Sequence, residues 1–191
     1  MEFQKIQLTK QRTLNVVYKN ADGDIVTVNG ANIVHKDFRQ AINALIPHIA
    51  IITEQREAYG RNLKQIQGDR ITDEGNDSVF KRLEVDGIMF SDGEQDVSVS
   101  GSRILLTGSV IKLVTPSVNM HDSENYQYLD DLSLCIDAVK YEAKCYLEEK
   151  KWGIKQAEIA FEDPFEGVKA DEAPVAEVPK KRGRKGKKEA A

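Results

Sequence analysis

The sequence predicts an α+β fold: a mainly antiparallel sheet of five or six strands covered by two main helices, with a disordered C-terminal tail. Three observations lead there. Short β-branched runs separated by Gly, Asn and Asp fill residues 3–28 and 83–115. Two stretches, one from Asp37 and one from Tyr126, switch to an apolar repeat of three or four residues. Beyond residue 156 both periods stop, which divides the chain into a globular body, 1–156, and a tail, 157–191.

Residues 3–9 alternate well enough for a first strand. Leu14, Val16 and Tyr18 alternate with Asn15, Val17 and Lys19 in a second. Asn20, Ala21, Asp22 and Gly23 form a turn signal, and Ile25, Val26 and Val28 resume the β texture, so a hairpin is expected. Gly30 breaks the run. Phe38, Ala41, Ile42, Leu45, Ile46, Ile49 and Ile52 then mark an amphipathic helix with Pro47 inside it, which predicts a kink or two short helices.

Residues 59–78 are polar, with three glycines, and read as a long connection. Arg56, Arg61, Lys64 and Arg70 make its first half basic, which suits either an anion contact or a solvated surface. Strands return with Leu83, Val85, Ile88, Met89 and Phe90, turn at Ser91, Asp92 and Gly93, and continue through residues 97–99. Gly101 and Gly108 bracket residues 103–107, and a last strand ends at Pro116. Leu105, Leu106, Ile111 and Leu113 suggest a face buried against the helices. The segments ahead of the two helices, 27–35 and 115–121, share a Thr, an Asn and a His, a hint of internal duplication.

The helix within 126–150 organises the rest. Leu129, Leu132, Ile136, Val139, Ala143 and Leu147 share one face along roughly 37 Å, with Asp122 and Glu124 before it and Lys150, Lys151 and a capping Gly153 after it. Cys135 falls beside the stripe, where a buried thiol is expected, and Cys145 falls away from it, where an exposed one is. Ten residues of helix separate them, too far for a disulfide. Two reduced thiols, no apolar run long enough to span a bilayer and no secretory leader give a cytoplasmic expectation.

No compact catalytic motif, phosphate loop or dinucleotide fingerprint appears, and no cofactor is expected. His35, His48 and His121 lie outside ligand spacing of one another and read as surface or junction residues, so no metal site is expected. The carboxylate pairs Asp22 with Asp24, Asp92 with Glu94 and Asp130 with Asp131 read as turn and helix-surface groups. Glu84 and Asp86 lack the following lysine of a metal-dependent nuclease. Trp152, among Lys150, Lys151 and Lys155, could stack a base or cover the core's edge.

The net charge of −4 hides a polarity in the tail. Residues 157–177 carry seven acids and one lysine, while 180–188 carry seven basic residues and no acid. The basic run is Lys180, Lys181, Arg182, Gly183, Arg184, Lys185, Gly186, Lys187 and Lys188. Its Arg182-Gly183-Arg184 core resembles the AT-hook, a short motif that lays such a core in the narrow minor groove of AT-rich DNA. Lys181 and Lys185 stand where that family has prolines. The resemblance covers about ten residues and implies DNA as a partner; phosphate affinity follows from the charge itself. The body's general texture is similar to that of small bacteriophage proteins thought to assist replication or recombination.

The expected function is a non-enzymatic, DNA-associated accessory protein whose tail gives sequence-independent affinity, with Arg56, Arg61, Lys64, Arg70 and Trp152 as secondary contacts. The alternative is an assembly module that forms homo-oligomers or binds a protein partner, its tail only solubilising. A dispersed-site enzyme is the third reading. No membrane partner is expected.

Overall fold

A computed structural model describes residues 1–72, 79–91, 93–124 and 126–153. The tail, and with it every residue of the AT-hook-like run, lies outside the described residues.

Seven strands form one antiparallel sheet: β1 (Glu2–Leu8), β2 (Thr13–Lys19), β3 (Ile25–Ile33), β4 (Leu83–Ser91), β5 (Asp96–Ile104), β6 (Val110–Val114) and the two-residue β7 (Val118–Asn119). The order is β3-β2-β1-β4-β5-β6, with β7 also paired to β5. The first three strands run as a meander into α-helices and the second group, β4 to β7, into the last helix, and the two groups meet where β1 pairs β4.

The register explains why one face is buried. Ile6 lies opposite Ile88 and Val16, and Phe90 lies opposite Val97, so the apolar residues of four strands share a side. Phe3, Ile6, Leu14, Val16, Ile88, Val97 and Val99 are buried there with Phe38, Ile42, Leu45, Ile49, Leu132, Ile136 and Val139 of the helices. Each such side chain contributes roughly 1.5–3 kcal/mol by leaving water. The opposite face is polar: one row runs Asn29, Asn15, Gln7, Gly87, Ser100.

Gly30 does not end its strand; β3 runs through it. A Cβ there would stand 2.6 Å from the Leu14 carbonyl oxygen and against the Tyr146 ring, so glycine serves close approach to the helix. Residues 105 and 106 are likewise not a buried pair. They form the β5–β6 turn, closed by Leu105 N–H to the Ser109 carbonyl oxygen and Gly108 N–H to the Leu105 carbonyl oxygen, with Leu106 86% exposed.

The proline-containing stretch is two helices, α1 (Lys36–Asn43) and α2 (Ile46–Ile52), with Pro47 in the first turn of α2, where its missing N–H costs no helical bond. His35 caps α1, its Nδ1 accepting from Asp37 N at 3.3 Å. A helix not expected from the sequence, α3 (Leu63–Thr72), occupies much of the long polar connection. Its apolar period is too weak to read, yet Leu63 and Ile66 are buried.

The core helix is α4 (Leu129–Glu148), and Leu129, Leu132, Ile136, Val139 and Ala143 are buried as the stripe predicts. The two thiols are the reverse of expectation: Cys145 is buried and Cys135 only partly so. Tyr141 and the chain after the helix cover the Cys145 side, and burial raises its thiol pKa. Gly153 is not the helix cap. Lys150 takes the left-handed position (φ 56°), and Gly153 instead donates to the Ile33 carbonyl oxygen at 2.7 Å, beside β3. Lys151 fastens this end, bonding Asp37 at 2.8 Å and Glu142 at 2.9 Å. Its hydrogen bonds to the two carboxylates raise its pKa and hold Asp37 below the carboxylate range.

Candidate functional site

The basic connection after α2 is built by local chemistry. The Thr53 hydroxyl donates to the Ile49 carbonyl oxygen at 2.6 Å, and Glu54, in a left-handed conformation (φ 49°), turns the chain away from the helix. Gln55 N–H donates back to the Ala50 carbonyl oxygen at 2.9 Å, and the chain then winds through successive turns closed by Ala58 N–H to the Gln55 carbonyl oxygen at 2.8 Å and Arg61 N–H to the Ala58 carbonyl oxygen at 3.1 Å. Asn62 and Gln65 start α3 as a reciprocal capping box: each side-chain oxygen accepts from the other's backbone N–H at 2.9 Å.

The sheet braces this segment. Arg103 of β5 donates through Nη1 to Glu57 Oε2 at 2.8 Å and to Gln55 Oε1 at 2.6 Å, and through Nη2 to Glu57 Oε1. The guanidinium holds the Glu57 carboxyl below its ordinary range, with burial opposing. A two-point clamp of this kind fixes orientation as well as position.

Beside the braced turn lies an open cleft of about 670 Å³. Ile51 and Ala58 give it apolar surface; Tyr59, Arg61, Asn62, Gln127 and Tyr128 give it aromatic, cationic and carboxamide groups, with Glu54 as the acid of the lining. Tyr59 is 84% exposed. The Arg61 guanidinium stands 6.0 Å from the Phe80 ring centroid, at the limit of a cation–π contact.

Tyr128 connects the cleft to the interior. Its ring meets Tyr126 edge-on at 5.8 Å, and the Tyr126 hydroxyl lies 2.8 Å from His48 Nδ1. His48 is fully buried, which corrects the expectation of a surface or junction residue. Desolvation pushes its pKa down to about 4, with Asp131 opposing. Its Nε2 lies 3.9 Å from the Cys135 sulfur. Burial raises the Tyr126 pKa.

Of the secondary contacts anticipated, Arg61 lines the cleft, while Arg56 and Lys64 are exposed on the same segment. Arg70 belongs to α3, and its side chain lies outside the described residues. Trp152 is elsewhere: it packs edge-on against Tyr146 at 6.5 Å and donates to the Tyr146 carbonyl oxygen. It is at the far end of α4 from Tyr128, about 30 Å along the axis. Among the described residues no group of three His, Cys, Asp or Glu could hold a metal ion, and no helix is long and apolar enough to cross a membrane.

Sequence reasoning did not bring Tyr59, Asn62, Gln127 and Tyr128 together, nor join Arg103 to Glu57. Only the Asn62-x-x-Gln65 capping signal was there to be read. Comparison of the chain with protein-family models, curated proteins and solved structures finds no match.

Proposed function

We propose that the protein is a non-enzymatic accessory protein that associates with DNA, using the cleft of the body together with the basic run 180–188. The observation that carries this reading is the exposed Tyr59 beside Arg61 on a turn clamped to the sheet by Arg103. Aromatic faces with neighbouring cations hold nucleic acid without reading its sequence, and the clamp reduces the ordering cost of binding. Seven cations in the tail add affinity that falls with salt, at a limiting slope of about −6 in log–log form on duplex DNA.

The test is a salt titration of binding to labelled single- and double-stranded DNA by the full chain and by a chain ending at Val178. The full chain should bind with the steeper slope and the shortened one more weakly with a shallower slope. No binding by either at 50 mM salt, the low-salt end at which such contacts are strong, would discard the proposal.

A second reading, an assembly module, draws on the β6 edge. Leu106, Val110, Ile111 and Val114 are exposed there, and Lys112 is the strand's one charge. Sedimentation that shows a stable oligomer lost on Ile111→Lys would favour it.

A further inference from the structure

We infer that the cleft is a single-strand site that takes one unstacked nucleobase with its adjoining phosphate. This rests on the nucleic-acid reading above and makes it specific to strandedness. Tyr59 presents nearly its whole ring to solvent, where it contributes nothing to the core and leaves a π-face open. A base can reach such a face only when it is out of the duplex stack. The cleft volume of about 670 Å³ falls within the range of small-ligand sites, which admits a nucleotide.

The polar groups fit the two ends of a nucleotide. Asn62 commits its Oδ1 to the Gln65 N–H, which fixes the carboxamide and leaves its NH₂ as donor. Gln127 is exposed and brings a second carboxamide from the start of α4. Carboxamides match base edges, which present donors and acceptors side by side. Among the described residues of the lining Arg61 brings a cation and Glu54 an acid, an asymmetry that favours a phosphate on the Arg61 side. Tyr128 supplies a second ring, held by Tyr126.

Fluorescence anisotropy with the full chain tests this, using one labelled oligonucleotide as single strand and as duplex. The tail contributes to both, and more steeply to duplex, so the cleft is read from how the ratio of the two affinities changes on substitution. The single strand should bind roughly tenfold tighter to the unaltered chain than to Tyr59→Ala, the effect expected of one stacked base. Duplex affinity should fall by much less in Tyr59→Ala, and Tyr59→Phe should keep the ratio of the unaltered chain. Because Tyr59 is exposed, neither change touches the core, and circular dichroism checks the fold. A ratio of single-strand to duplex affinity that is unchanged in Tyr59→Ala would overturn the inference while the nucleic-acid reading stood. Loss of all binding would take both. The same chemistry could come from a free nucleotide: displacement of the strand by micromolar mononucleotide would assign the cleft to that ligand instead, and resistance to it is the expected result.

Discussion

His48 and Tyr126, 78 residues apart in sequence, meet in the interior with the ring Nδ1 and the phenol oxygen 2.8 Å apart. The contact joins α2 to the start of α4 and backs the cleft through Tyr128. An imidazole is a costly group to bury, and its neutrality is what the site requires.

Acid sensitivity follows from that neutrality. In the folded chain His48 titrates at about 4, and in an unfolded chain it titrates at about 6.5. Between those values the unfolded state holds the extra proton, so stability falls as pH drops through the window. The loss is on the order of 3 kcal/mol, complete below the folded value. Urea midpoints measured from pH 7 to pH 4 should show the decline, and His48→Gln should flatten it. Asp37 and Glu57, whose carboxyls are held low, contribute their own loss toward more acidic pH in both proteins. An equal slope in the variant would refute the assignment.

Much of the fold was legible because burial imposes a period. The stripe from Leu129 to Ala143 and the alternation of Leu14 and Val16 both mark one buried face, and the turn at Asn20 is written in its side chain, whose oxygen accepts from Asp22 and Asp24. What stayed hidden depends on long-range contact. Gly30 reads as a breaker until Tyr146 lies over it, and the sequence of α3 carries too weak an apolar period to show a helical repeat. The exposed tip at Leu106 looked like core because composition does not say where the helices stop. The site was partly visible as a basic segment. Its partners were not, since Tyr128 and Arg103 arrive from elements far along the chain.

Gly153 gives a test of close approach. A Cβ there would stand 2.6 Å from the Val34 carbonyl oxygen and 3.2 Å from its carbon, backbone atoms with little room to yield. Gly153→Ala should therefore weaken the bond to Ile33 and loosen the Lys151 anchor, at a cost of about 1–3 kcal/mol. Gly108→Ala is the informative contrast. Its φ is 83° but a Cβ would meet nothing within 4 Å, so only the backbone cost of about 1–2 kcal/mol applies. Thermal unfolding of the two variants should differ in one further respect: hydrogen exchange at residues 33–34 rises only in Gly153→Ala.

The clamp between Arg103 and Glu57 separates positioning from direct contact. Both side chains are mostly buried, and neither lines the cleft. Arg103→Ala leaves Glu57 without its bidentate partner, and the expected loss is about 2–4 kcal/mol if the turn stays closed, less if residues 55–61 move out to water. Hydrogen exchange decides between these, and faster exchange confined to the turn is expected because that segment has few core contacts of its own. Single-strand affinity should fall with it, although Tyr59 and Arg61 are intact. Arg103→Lys should not restore the affinity, since a single ammonium cannot reach Gln55 and both Glu57 oxygens with the planar fork that Arg103 uses. Full rescue by lysine would show that charge alone holds the turn and that its orientation is set elsewhere.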